Sequence, residues 1–572
     1  MPFQLSPGVL VVEKDLTNII PAVATSIGGY VGNFVWGPAQ TPVTVSSELE
    51  LIKTFGKPTL DTYVSFFSAA NFLSYSNNLV LIRQVGAAAM NAVSTGSAIM
   101  IPNEEDWKAN YEDGSAAVGE FAAKYPGSLG NSLYVSMADS VTFADYDGLA
   151  NPWPYTSLFD AAPDTSTFVS NVAGDALDEV HVIVIDQDGF VTGTPGTVLE
   201  KWSHLSKASD AKSDQGANNY YRDALLGSQY IYWMDHPTGI GAGTAWGVTA
   251  ETAIGTPFAS MTLAVGNSLT GGVSETSLSS GEVQTGYDIL ANDALIDVNL
   301  VFTGGHPAVD AKYVIDNVGD TRRDCVVFVS PALASVFNNA GSEATDIIAE
   351  RNGGLDANSS YAVMDSGWKY QYDKYNDVYR WMPLNPDIAG LCARTDYVAD
   401  PWYSPGGYNR GLIKNVVKLA WTPGKTDRDT LYKSGVNPVI TEPGAGTILM
   451  GDKTMLAKPS AFDRINVRRL FIVLEKAIAT AAKFMLFEFN DSFTRASFRN
   501  MTEPFLRDVQ GRRGIYDFSV VCDTTNNTGE VIDRNEFVAD IYIKPARSIN
   551  YITLNFIAVR TGVSFSEVVG KA

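Results

Sequence analysis

Cysteine, histidine and positive charge are what this 572-residue chain has least of. Its three cysteines, Cys325, Cys392 and Cys522, stand far apart, which excludes a disulfide framework and a C-x-x-C metal clip and suits a reducing cytoplasm. Its four histidines, His181, His204, His236 and His306, form no i, i+4 pair and no H-E-x-x-H, so no metal site is expected. Lys and Arg number 41 against 63 Asp and Glu, a net charge of −22, which argues against nucleic acid or an anionic membrane as the main partner. No run of about 18 apolar residues is free of charge, so no transmembrane helix is expected. The opening MPFQLSPGVLVVEKD has no basic start and soon meets Glu13 and Asp15, unlike a signal peptide. No repeat of 20–50 residues stands out, which disfavours a solenoid or a repetitive fibre.

Catalytic motifs are equally scarce. The glycines of GIGAGTAWG (239–247) fail the G-x-G-x-x-G pattern from Gly239, at Thr244, and from Gly241, at Trp246. GKT at 424–426 lacks the earlier glycine of a phosphate loop, Leu419 standing there, and no G-x-S-x-G elbow is present. Asn358, Asn490, Asn500 and Asn526 head N-x-S/T triplets, but with no signal peptide these read as chance matches. The expectation is a protein that is not an enzyme and carries no cofactor.

What is present is a folded, multidomain composition: 45% hydrophobic, 11% aromatic, and long enough for about three to five domains. Charge is unevenly spread. Residues 101–200 hold 17 Asp/Glu against Lys108 and Lys124, whereas residues 458–572 hold 16 Lys/Arg against 13 Asp/Glu. That contrast suggests a solvent-facing middle and a C-terminal part facing an acidic partner.

The pattern of apolar residues indicates a mixed α/β protein. Strands are expected over 26–38 and 78–86, and helices over 48–56 and 61–76. Further strands are expected at 132–138, 179–189 and 324–331, with a loop-rich, charge-poor stretch at 239–281. The clearest helix is 460–489, with Ser460 and Asp463 as its cap. Val467, Leu470, Phe471, Leu474, Ile478, Ala481 and Met485 form its apolar stripe. Arg468 and Arg469 in this helix are suited to pair with core carboxylates. Alternation in 548–562 indicates a strand, with Ile552, Leu554, Phe556 and Ala558 on one face.

Several blocks occur in an order that resembles the tail sheath proteins of contractile-tailed bacteriophages, the longer myovirus sheaths in particular. They are SPGVLVVEKD (6–15), VGNFVWGPAQTPVTVSS (31–47), FGKP (55–58) and NLVLIRQVG (78–86) near the start. Later come WMPLNPDIAGLCARTDYVADPWYSPGGYNRG (381–411), GVNPVI (435–440), INVRRLF (465–471) and FNDSFTRASF (489–498). DFSVVCDTTNNT (517–528) and FVADIYIKPARSINYITLNF (537–556) close the series. Together they span most of 1–95 and 320–572; between them the likeness is weak apart from 199–221.

The resemblance implies a structural subunit that stacks as hexameric rings around a tail tube and contracts from a metastable extended state, driving the tube through the host envelope. It implies an α/β core with inserted outer domains, here an N-terminal arm (1–20), a core (21–95 and 321–572, with a C-terminal arm at about 562–572), a β-rich outer domain (96–175) and an outer α/β domain (176–320). Terminal strands exchanged between subunits would be Val9, Leu10, Val11 and Val12, and Val563, Phe565 and Val568. Basic residues facing the tube would be Lys483, Arg495, Arg499, Arg507, Arg512 and Arg513. Expected partners are further copies of the chain, the tube, baseplate and tail terminator proteins, within a virion assembled in the host cytoplasm. The alternatives are a sheath of a non-phage injection system, pyocin or type VI-like, and another virion structural protein.

Overall fold

The computed structural model describes residues 24–114, 117–174, 176–237, 252–253, 258–550 and 553. The chain divides into two units: residues 22–401 with 405–477, and residues 1–21, 402–404 and 478–572.

The first unit is built on a seven-stranded sheet. Its strand order is Val436–Asn437, Ala362–Asp365, Val326–Val329, Leu300–Phe302, Gly28–Gly32, Leu79–Arg83 and Pro42–Val45. Six strands are parallel and the last, an edge strand, runs antiparallel to Leu79–Arg83. Parallel strands buried on both faces read as continuous apolar runs, and VVFV and LVLIR are such runs. Within LVLIR, Leu79 and Leu81 join one core with Phe66, Phe72, Phe302 and Leu391, while Val80 and Ile82 join another with Tyr287, Leu290, Val314 and Ile347. Helices Tyr63–Leu73 and Asn385–Val398 lie in the first core and helices Ser280–Ala291 and Ala308–Val314 in the second. Close approach explains two glycines: a Cβ on Gly28 would lie 2.5 Å from the Phe72 ring, and one on Gly390 would lie 2.4 Å from the Tyr75 ring.

Between strand Leu79–Arg83 and helix Ser280–Ala291 the chain forms a second body. Four antiparallel strands, in the order Thr197–Ser206, Glu179–Asp186, Leu133–Asp139 and Val265–Ser268, sit over a core that includes Trp107, Phe121, Tyr232 and Trp233. This sheet pairs strands from either side of residue 175, where the sequence suggested a division. Leu300–Phe302 pairs with Gly28–Gly32, so the central sheet takes in residues upstream of 320. That strand is three residues long and preceded by Asp297, too short to register as a period.

A welded joint connects the two bodies. Phe34 packs in the central core and Trp36, two residues on, in the inserted core. The fully buried Arg83 ends the strand Leu79–Arg83 and donates to the carbonyls of Phe34 (2.9 Å), Gly37 (2.6 Å) and Pro126 (2.7 Å). With no described carboxylate beside it, burial holds its guanidinium down at about 9.

Acidity in the insert is used partly inside it. Asp139 and Lys207 form an ion pair at 3.1 Å with neither side chain exposed. The buried carboxylate of Asp178 accepts from Ser166, and that of Asp186 from Ser132, Val191 and Thr192. The expected solvent-facing charge is thus carried by the remaining carboxylates. The central body has a matching buried pair, Lys369 and Asp387 at 2.9 Å, and the Tyr75 hydroxyl also donates to Asp387.

The long helix spans Ile465–Ala482, shorter than the expected 460–489. Ser460 closes a turn before it, its hydroxyl accepting from the Phe462 amide, instead of capping it. The stripe is buried at Val467, Leu470, Leu474, Ile478 and Ala481. Arg469 makes a two-pronged pair with Asp396 (2.7 and 2.6 Å), as suited to its position, whereas Arg468 lies over the Tyr361 and Phe462 rings.

Candidate assembly surface

The second unit is described over 402–404, 478–550 and 553. The proposed arm residues Val9, Leu10, Val11, Val12, Val563, Phe565 and Val568 lie outside the described residues, as does most of the expected strand 548–562.

The unit is organised by one helix, Ser492–Gly511. Asp491 caps it, its carboxylate accepting from the Thr494 amide at 2.8 Å. Phe498, Met501, Leu506 and Val509 face inward with Ile515, Cys522 and Trp402. Burial pushes the Cys522 thiol up. Asn490 and Asn527 form a polar spine: Asn490 donates to Asn527 (3.0 Å) and the Glu536 carbonyl (2.8 Å), and Asn527 is paired to both backbone groups of Val538. Both asparagines fall in blocks that carried the family resemblance, FNDSFTRASF and DFSVVCDTTNNT.

This spine corrects one expectation. Arg495 is buried and donates to the Asn490 side chain at 2.7 Å, so its guanidinium is committed inside the unit. Arg499 is half-buried, and Lys483, Arg507, Arg512 and Arg513 are exposed. Arg507 pairs with Glu503 and Arg512 with Asp508, each one helical turn away. Residues 478–550 hold nine Lys/Arg against ten Asp/Glu, so the described unit is not basic overall. The excess expected for 458–572 arises largely from Arg464, Arg469 and Lys476, which pair with Asp452, Asp396 and Asp297.

Two features point to an incomplete surface. Ile515–Val521 and Asp540–Pro545 form a two-stranded antiparallel sheet whose outer edges pair with no described strand. Of its thirteen residues only Ile515 is buried. Between the two helices, Phe484, Leu486, Phe487 and Phe489, and in the first turn of the second helix Phe493, are each at least 66% exposed. The expected helix 460–489 took in Phe484, Leu486, Phe487 and Phe489, off its apolar stripe, because a run of good helix formers continues to Phe489. The loss of period after Met485 was the available signal. Among the described residues, no three His, Cys, Asp or Glu side chains gather into a metal-binding group, and no helix is long and apolar enough to cross a membrane.

Comparison with known proteins places this architecture. Residues 307–455 match the phage tail sheath protein central domain, 457–558 the phage tail sheath C-terminal domain, and 25–83 the domain III N-terminal region of the Gp18 tail sheath protein. The chain is 34% identical to the tail sheath protein of Vibrio phage KVP40, covering 99% of this chain and all of that one. It is 33% identical to the tail sheath protein of Enterobacteria phage T4, over 99% of both chains. In fold it is similar to a sheath tail protein of Listeria innocua, with a TM-score of 0.52, 11% identity, and coverage of 92% of this chain and 96% of the other. It is also similar to the helical sheath of the anti-feeding prophage in its contracted state, with a TM-score of 0.50, 11% identity, and coverage of 97% and 99%. These matches run through the same two-part core and the incomplete C-terminal unit described above, and on them the chain belongs to the family of phage tail sheath proteins, structural subunits of contractile tails.

Proposed function

We propose that this chain polymerises as stacked hexameric rings around a tail tube, in a metastable extended state that contracts to drive the tube through the host envelope. The observation that carries the proposal is the open, two-stranded sheet of the C-terminal unit. A lone two-stranded ribbon is marginal in water, and its unpaired edges are templates for added strands. Terminal segments of neighbouring copies, residues 9–12 and 563–568, supply those strands. Backbone ladder bonds between copies persist while side-chain interfaces slide, which a contracting polymer requires. Heterologous contacts that do not close on themselves give the helical stack.

The tube contact is proposed at Lys483, Arg499, Arg507, Arg512 and Arg513, beside the exposed phenylalanines. Exposed pairs contribute about 0–1 kcal/mol each, so many weak contacts hold a tube that must later be released. Baseplate and terminator proteins bound the stack, which assembles in the host cytoplasm. The test is deletion of residues 1–15, read by negative-stain microscopy of the pelleted protein. Loss of tubes with a folded monomer retained is the expected result; long tubes from the truncated chain would end the strand-exchange proposal.

A further inference from the structure

The seam between the central body and its insert holds a cleft of about 350 Å³ that nothing above accounts for. One wall, from the central body, carries Trp36, Ile52, Lys53 and Lys57; the other, from the insert, carries Phe190 and Tyr230. Phe190 stands 65% exposed at the rim. Lys53 and Lys57 are exposed, and neither lies within ion-pair distance of a described carboxylate. Most buried or half-buried cations of this unit are already engaged: Lys207 with Asp139, Lys369 with Asp387, Arg469 with Asp396. An apolar cleft with two lysines in no close ion pair fits an acidic segment that bears an aliphatic side chain.

The same chain presents such a segment. Between Asp145 and Asn151 the insert forms a preorganised loop, closed by the Tyr146 amide donating to the Asn151 carbonyl at 2.9 Å. Asp145 accepts from the Ala150 amide, and Asp147 accepts from the Leu149 amide and the Asn151 side chain. Leu149 is thereby held at the surface, 76% exposed, beside two carboxylates. A rigid anchor loses little freedom on docking. Leu49 and Leu295 are also exposed beside carboxylates, but Glu48 pairs with Lys374, Glu50 accepts from Ser46 and Asp297 pairs with Lys476, while Leu60 adjoins a single carboxylate, Asp61.

We propose that the Asp145–Leu149 loop of one copy docks in the Lys53/Lys57 cleft of another, Leu149 entering the apolar floor and Asp145 and Asp147 facing the lysines. Charge complementarity selects a second copy as occupant: residues 101–200 carry 17 acidic residues, one of their two lysines is buried, and the other is paired with Glu104. Because cleft and loop are different patches of one chain, the contact is heterologous and propagates along a polymer. The proposal rests on the sheath polymer reading, and its test separates the two.

The experiment compares pelleted polymer from the wild-type chain, K53E/K57E and L149D, which leaves the Asp145 and Asp147 hydrogen bonds in place, each first checked for an unchanged melting temperature. Setting carboxylates against carboxylates, or an aspartate in the apolar floor, is strongly unfavourable across an interface, so each variant lowers pelleted protein by about tenfold or more. Wild-type pelleting from either variant overturns the docking contact while leaving the polymer intact. A second readout is oxidation of K57C/L149C in the assembled polymer, the native cysteines being buried. A ladder of linked chains is expected, and its absence in intact polymer overturns the proposal.

Discussion

The two units answer the same question, how to bury enough surface, in opposite ways. Residues 22–401 and 405–477 enclose a seven-stranded sheet between two cores, seal buried ion pairs inside it, and weld on the insert through Arg83. The C-terminal unit has a small core around Phe498, Leu506 and Val509, a sheet of two strands, and a run of aromatic side chains in solvent. The first unit is complete as a monomer. The second, on the proposed reading, is finished only when other chains add to it. A subunit that must hold its shape while its contacts change would benefit from that separation, with rearrangement, on the proposed reading, confined to the unfinished part.

The comparison is sharpened most by attacking the first unit's interior. Lys369→Met leaves Asp387 buried and unpaired, and breaking such a pair costs about 3–5 kcal/mol. Calorimetry is expected to show that loss in the monomer. Removal of exposed Lys374, which pairs with Glu48 at the surface, is expected to change little, about 0–1 kcal/mol.

A pair of phenylalanines tests the second unit. Phe498→Ala empties a core site that is 3% exposed, at a cost of about 3–5 kcal/mol. Phe487, fully exposed, is expected to tolerate Ala within about 0.5 kcal/mol in the monomer, yet Phe487→Ala with Phe489→Ala is expected to cut assembly. Measurement of urea stability and pelleted fraction on the same samples distinguishes the two sites. Equal stability losses would erase the contrast.

The pH response belongs to the first unit. Burial raises the Asp365 carboxyl to about 8, so folding keeps a proton that the unfolded chain loses near pH 4. Stability from this group therefore falls as pH rises between about 4 and 8, by about 1.4 kcal/mol per pH unit. Burial lowers His236 to about 4, so its effect falls as pH drops from about 6.5 to 4. These two oppose each other between about pH 4 and 6.5, where His181 and His306, also lowered by burial, act with His236; of the two only Asp365 acts above it. Relative to the wild-type chain, Asp365→Asn is expected to gain stability progressively as pH rises to 8, read by urea titration across pH.

The smallest effect on the monomer is expected from reversing Lys483, Arg507 and Arg513 to Glu. All three side chains are exposed, and monomer stability should move by less than about 1 kcal/mol. Assembly on the tube should nevertheless fail. Normal tube-templated assembly with these changes would remove the proposed contact.

Much of the first unit was legible because parallel strands and amphipathic helices carry strong periodic signals: Leu79–Arg83, Val326–Val329, Glu48–Phe55 and Ile465–Ala482 all fall within their expected spans. The strand Leu300–Phe302 was not legible, since three residues hold no period, and with it went the boundary near 320. The candidate surface was legible in its blocks but not in its side chains. Composition marks Phe484 and Phe487 as core, and nothing local distinguishes Arg495, turned inward to Asn490, from Arg507, turned outward. Exposure of a single apolar side chain is decided by what the fold leaves uncovered, which is a non-local property.

Amide hydrogen exchange on monomer and polymer tests the central claim most directly. Protection in strands Leu79–Arg83 and Val326–Val329 should be high in both states. Amides of Ile515–Val521 and Asp540–Pro545 should exchange rapidly in the monomer and become protected in the polymer, where added strands pair with their open edges. Strong and equal protection of those two strands in the monomer would show the sheet already complete and contradict strand exchange between copies.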